Sequence, residues 1–195
     1  MARPTAFDRT YVLQQAIQLF WLQGYSNTSI KNLVVATGLQ PGSIYAAFGD
    51  KRGLFLAALD AYFEAMQLDL FAALHNNKPP LERLSDFFNQ LVQESHCDPE
   101  RKGCLLINTL SEIPVHDVEI NMRLQTMFNQ VEQELKQLLI EAKNSNQLSA
   151  NQDPETLAKF LVSGIFGLRL FNKTQPDLKS LKAIVKHLLM AIQWH

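Results

Sequence analysis

The run from Gly24 to Leu54, GYSNTSIKNLVVATGLQPGSIYAAFGDKRGL, leaves a chain few ways to fold. Gly24 suits a helix stop, because glycine tolerates the left-handed backbone that a stop requires. Thr28 then reads as the N-cap of a short helix, its hydroxyl facing the free N–H groups of the next turn. With Lys31 where a capping box wants an acid, the reciprocal half of the box is expected to be missing. Ile30, Leu33 and Val34 share one face of that helix. Gly38 closes it, and Leu39 is placed to plug the core. Pro41 suits the first position of a second short helix, where its missing N–H costs nothing. Ile44 and Phe48 are spaced to face inward from it. A short helix, a glycine-containing turn and a second short helix make a helix-turn-helix.

Such a second helix enters the DNA major groove with its N-terminal residues at base edges. The surface expected to face bases is Gln40, Pro41, Gly42, Ser43 and Ala46, most of them small enough for close approach. Thr28, Tyr45 and Lys51 are expected to position phosphates. Asp50, Lys51 and Arg52 open a further helix whose N-terminus and cations could hold another phosphate. A plain helical hairpin inside an all-α domain would show the same bare pattern.

Ahead of this stretch, residues 1–7 read as a loose arm in which Arg3 could brush a phosphate. A helix over about 8–23 carries Leu13, Ala16, Ile17 and Phe20 on one face, the stripe needed to cover the two short helices. Helical spacing then continues over about 50–75, 81–95, 103–111, 116–143, 154–171 and 177–193, interrupted by the Asn76–Pro80 break, polar His96–Lys102, Pro114 and the Asn144–Asn151 loop. The expectation is an all-α chain of about nine helices. Residues 1–52 would be the three-helix DNA-binding domain and residues 53–195 a helical domain for ligand binding and dimerisation. The long fourth helix would belong to both.

The run LFWLQGYSNTSIKNLVVATGLQPGSIYAAFGDKRGLF resembles the DNA-binding region of the TetR/AcrR family of bacterial transcriptional repressors. Phe20, Gly24, Tyr25, Thr28, Ser29, Ile30, Gly38, Leu39, Gly42, Ile44, Tyr45, Phe48, Lys51 and Leu54 carry the match, in order and without a gap. The resemblance implies a repressor that binds double-stranded operator DNA as a homodimer and releases it on binding an effector. Ala46 and Ala47 stand where the family often has His or another polar residue, and Pro41 where Lys or Arg is frequent. These departures shorten the polar reach of the recognition helix.

Charge is distributed in keeping with this. The formal net charge is −1, but residues 1–55 hold five basic and two acidic side chains against thirteen and seventeen in the rest. A basic start on an acidic body fits DNA contact at one end. No apolar run approaches the roughly 20 residues that span a bilayer, and the N-terminus lacks a signal-peptide core. The expected location is therefore the cytoplasm, with no membrane partner. No metal pattern or cofactor motif appears, and the two cysteines, Cys97 and Cys104, are too few for a disulfide framework.

In the body, Tyr62, Phe63, Met66, Phe87, Phe88, Leu91, Leu106, Asn108, Met127, Phe128 and Phe166 are candidates to line a pocket for a small apolar or electrophilic effector. Composition alone does not separate a pocket from ordinary core. The last two helices are too apolar to stand exposed. Gly164, Gly167, Leu181, Ile184 and Leu188 are the expected homodimer contacts, made in a four-helix interface.

The segment KGCLLINTLSE, Lys102 to Glu112, resembles one in the electrophile-sensing subset of the family that includes the N-ethylmaleimide reductase repressor. Gly103, Cys104, Leu105, Leu106, Asn108, Thr109 and Glu112 carry this match. Cys104, at a helix N-terminus beside Arg101 and Lys102, would be biased toward the reactive thiolate. A buried cysteine acting as a small apolar side chain is the alternative. Cys97, in what reads as a polar loop, is either a resolving partner or a bystander.

An enzyme fits poorly. His96 adjoins Cys97, but loop neighbours rarely give the oriented base and nucleophile that covalent catalysis requires. A helical interaction protein that keeps a DNA-binding fold without using it is the other alternative. Binding in a gel shift against the chain's own upstream region excludes this second alternative, while catalysis needs a positive assay of its own.

Overall fold

The computed structural model of the chain describes residues 7–192, so Arg3 lies outside the described residues. The expected all-α class holds, with no strand among the described residues. The helices are α1 (Arg9–Asn27), α2 (Ile30–Thr37), α3 (Pro41–Phe48), α4 (Lys51–Leu74), α5 (Pro80–Cys97), α6 (Leu105–Glu112), α7 (Val118–Asn144), α8 (Pro154–Phe171) and α9 (Leu178–Ile192). A single 3-10 turn, Asn172–Thr174, follows α8. Among the described residues, no helix is long and apolar enough to cross a membrane.

Two compact units form. The first runs to Ala65 and takes in Cys104–Asn121; the second holds Met66–Gly103 and the chain from Met122 onward. The first unit is larger than the 52-residue segment expected from sequence, because α6 folds against α1 within it.

In the first unit, Asp8 caps α1 by accepting the Tyr11 N–H. The core is Val12, Ala16, Phe20, Leu33, Ile44, Leu54, Phe55, Ala58 and Leu59. Leu13 and Ile17, expected inward, are only half-buried. The face of α1 is rotated toward Val12, because two different neighbours, α2 and α6, pack on it. The Phe20 and Phe55 rings meet edge to face at 4.9 Å, a favoured aromatic geometry. Phe48 is half-buried, with Phe7 beside it and the Arg9 guanidinium over its ring.

In the second unit, α5 starts on Pro80 and buries Leu84, Phe88, Leu91 and Val92. Arg83 is also buried. It donates to the Leu74 carbonyl and pairs with Glu141, so the cation sits at the negative end of α4. α8 and α9 pack together through Gly164, where an added Cβ would lie 2.9 Å from Leu188. Leu181 is 1% exposed within one chain. Within one chain, then, Leu181 is buried, while Gly164 and Leu188 meet each other and are both half-buried. The apolar side chains left outside on these helices are Phe160, Leu170, Phe171 and Met190, with Gly167 open beside them.

Candidate nucleic-acid interface

α1 is broken by a kink at Gly24, where φ is 80° and ψ is 170°, and a last turn follows to Asn27. The cap of α2 lies one residue later than its sequence pattern suggests. Ser29, not Thr28, is the N-cap: its hydroxyl accepts the Asn32 N–H, and Asn32 Oδ1 accepts the Ser29 N–H. The capping box is therefore complete, with Asn32, one residue past Lys31, as its reciprocal acceptor. Thr28 is 1% exposed, and its hydroxyl donates to the Gly24 carbonyl at 2.6 Å. It closes the end of α1 instead of reaching outward.

Lys51 is likewise turned inward. Its ammonium donates to the Tyr25 and Thr28 carbonyls at 2.8 and 2.9 Å and lies over the Tyr25 ring. From the other side, the Glu112 carboxylate accepts the Tyr25 and Ser26 N–H groups at 2.9 and 2.6 Å. The turn between α1 and α2 is thus gripped by its carbonyls from α4 and by its N–H groups from α6. Burial alone would push the Glu112 carboxyl up. The Ser26 and Tyr25 hydrogen bonds and the Lys51 charge outweigh burial and hold it below its ordinary value.

Arg52, expected to be available to a phosphate, forms a fork with Asp117 at 2.7 and 2.9 Å and reaches Glu119 at 2.9 Å. The Arg52 hydrogen bond is the main reason that the Asp117 carboxyl falls to about 2, with burial opposing it. A depressed carboxylate stabilises the fold fully above its ordinary range, and that contribution is lost progressively as pH falls from there through about 2. Asp50 caps the start of α4 by accepting the Gly53 N–H at 2.7 Å, so this helix end already has its anion.

What remains on the surface is α3 itself. Gln40, Pro41, Gly42, Tyr45 and Ala46 are exposed and Ser43 half-exposed, while Ile44 is fully buried and anchors the helix from behind. Tyr45 is 48% exposed. The helix is held by packing, with its polar and small face outward, which is the posture of a groove-reading helix.

The other candidates divide between the units. Cys104 is buried at the N-cap of α6, with the Tyr62 hydroxyl 3.7 Å from its sulfur. Its cationic neighbours are engaged: Lys102 with Asp98 and Glu100, Arg101 with the Pro176 carbonyl. Cys97 is the last residue of α5, not a loop residue, and is exposed; both thiols are free. Phe63 and Leu106 are core of the first unit, whereas Tyr62 and Asn108 are half-buried. Phe88, Leu91 and Met127 are core of the second, where Met66, Phe87, Phe128 and Phe166 are half-buried. Phe128 and Phe166 touch, with ring centres 4.5 Å apart. Ile184 is half-buried on α9. Among the described residues, no group of three His, Cys, Asp or Glu side chains is placed to hold a metal.

A tri-helical unit that buries Ile44 and turns the small face of α3 outward is a helix-turn-helix DNA-binding transcriptional regulator. Residues 12–58 match the bacterial regulatory proteins of the tetR family, and residues 80–188 match the tetracyclin repressor-like C-terminal domain. The chain belongs to the TetR family. It is 31% identical to the HTH-type transcriptional repressor ComR of Escherichia coli, over 93% of this chain and 87% of that one. It shares 28% identity with a cysteine mutant of the TetR family regulator CifR complexed with 26-base-pair operator DNA, covering 98% of this chain and 100% of that one at a TM-score of 0.88. Escherichia coli NemR in its reduced form, at 19% identity and a TM-score of 0.84 over 92% of this chain and 94% of that one, speaks for the fold alone.

Proposed function

We propose that the chain is a cytoplasmic repressor that binds a palindromic operator as a homodimer and has no catalytic activity. The observation that carries this reading is the exposed small face of α3 on a buried Ile44 anchor. The operator complex of CifR supports it. DNA reading is assigned to residues 1–52, and effector response and dimerisation to 53–195. This is a division of labour and not of folding.

Gln40, Pro41, Gly42, Ser43 and Ala46 face bases, and Tyr45 meets phosphate. Lys51 and Thr28 act by shaping the turn behind them. The test is fluorescence anisotropy with a duplex from the chain's own upstream region. Ala46→Glu places bulk and negative charge on the exposed face and is expected to weaken binding at least about a hundredfold, as loss of close approach and repulsion by phosphate combine. Its melting temperature should stay at the wild-type value, since Ala46 is exposed. Undiminished binding by this variant would place the interface elsewhere.

Release is assigned to the body, through a small apolar or electrophilic molecule or through modification of Cys104. The Tyr62 hydroxyl beside the sulfur supports the thiol route, because it can donate to a thiolate. Cys104→Ser is expected to bind operator as wild type does and to stay bound after hypochlorite, while Cys97→Ser responds like wild type. A Cys104→Ser protein that still lets go leaves only the reversible ligand.

A further inference from the structure

Glu112 sits where its own helix disfavours it. It is the last residue of α6, at the negative end of that helix, where a carboxylate is repelled. Two backbone N–H groups from the other end of the first unit offset this. Gly24 makes room for them: an added Cβ there would lie 2.7 Å from Glu112 Oε2, and its φ of +80° already excludes most side chains. Gly24 and Glu112, from two separate sequence motifs, therefore form one device. At the opposite end of the same eight-residue helix, Cys104 is the N-cap.

We propose that Glu112 is a positioning residue for operator binding: its clasp on Tyr25 and Ser26 holds α2 and α3 in the DNA-reading orientation, and α6 carries a change at Cys104 to that clasp. The second half rests on the thiol reading above; the first does not. The α1–α2 turn is held from both sides, by Lys51 on its carbonyls and Glu112 on its N–H groups. Withdrawing the Glu112 grip leaves the turn held by Lys51 of α4 on its carbonyls, with its N–H groups released. Alkylation supplies a defined trigger. The Cys104 sulfur adds across the maleimide double bond, its proton ends on the neighbouring carbon, and nothing leaves. The adduct cannot fit a buried N-cap site without moving the start of α6.

The experiment compares full-length wild type, Cys104→Ser and Glu112→Gln. Anisotropy on the upstream duplex is read before and after N-ethylmaleimide, and amide exchange is followed at Tyr25 and Ser26. Glu112→Gln is expected to exchange both amides faster, to bind about tenfold more weakly through loss of the charged acceptor, and to lose nothing more on alkylation. In wild type, alkylation should speed exchange at the same two amides as operator is released, a response that a merely stabilising contact would not give. Cys104→Ser should show neither effect. Wild-type affinity in Glu112→Gln overturns the positioning role whatever the thiol does. A weakened Glu112→Gln beside a wild type that alkylation leaves bound upholds positioning and removes the trigger at Cys104. Release of wild type with both amides still protected overturns the link through Glu112. Should Glu112→Gln fail to fold, the wild-type exchange measurement decides alone.

Discussion

Gly53→Ala is expected to abolish operator binding and to lower the melting temperature by roughly 6–12 °C. The single added carbon would lie 1.8 Å from the Phe48 carbonyl oxygen. That oxygen belongs to backbone, so no rotamer change relieves the contact. Either α3 or the start of α4 must move. Overpacking of this kind costs about 3 kcal/mol, and each kcal/mol shifts the midpoint by ~2–4 °C in a chain of this size. The oxygen displaced is at the C-terminal end of α3, so the strain falls on the helix that faces DNA. Thermal unfolding and anisotropy on the upstream duplex check both parts. An alanine variant that melts and binds as wild type does would show that α3 and α4 do not approach so closely.

The second large effect concerns assembly. Phe160→Glu with Leu170→Glu is expected to give a folded monomer, because both side chains already face outward, at 39% and 55% exposure. Operator affinity should fall by ~10²–10⁴, as binding one half-site no longer raises the effective concentration at the other. Leu181→Glu, in contrast, buries a charge in a site that is 1% exposed in the single chain and should unfold the protein. Light scattering and circular dichroism distinguish these outcomes. A double variant that remains a dimer at micromolar concentration would move the interface off α8.

The helices were legible because each carries its own punctuation. Gly38 ends α2 in the left-handed conformation, Pro41 opens α3, and Pro154 opens α8 behind its Asp153 cap. Ile44 at the heart of the small domain was equally visible from its spacing. What local pattern did not show is which cation is spent inside. Lys51 and Arg52 read as phosphate ligands until the fold brings the Tyr25 and Thr28 carbonyls to one and Asp117 to the other. Thr28 and Ser29 are adjacent potential caps, and only the turn geometry decides between them. Glu112 is separated from Tyr25 by 87 positions, and no helical period or turn rule reaches so far. Which apolar residues of α8 and α9 are buried within one chain was hidden for a related reason: Leu181 and Phe160 are both apolar on amphipathic helices, and inward and outward differ only by how α8 meets α9.

The compact unit around the recognition helix is discontinuous in the chain, taking in Cys104–Asn121. That constrains how such a regulator can be recombined. A hybrid made by splicing the first 52 residues onto a foreign body would arrive without the carboxylates that Tyr25, Ser26 and Arg52 meet here. A graft that carries residues 104–121 along with the reading head keeps those partners. For the same reason, substitutions at Gly24 and Glu112, or at Arg52 and Asp117, should be inherited as pairs, so exchange of reading heads between distant relatives is gated by a short segment outside the helix-turn-helix.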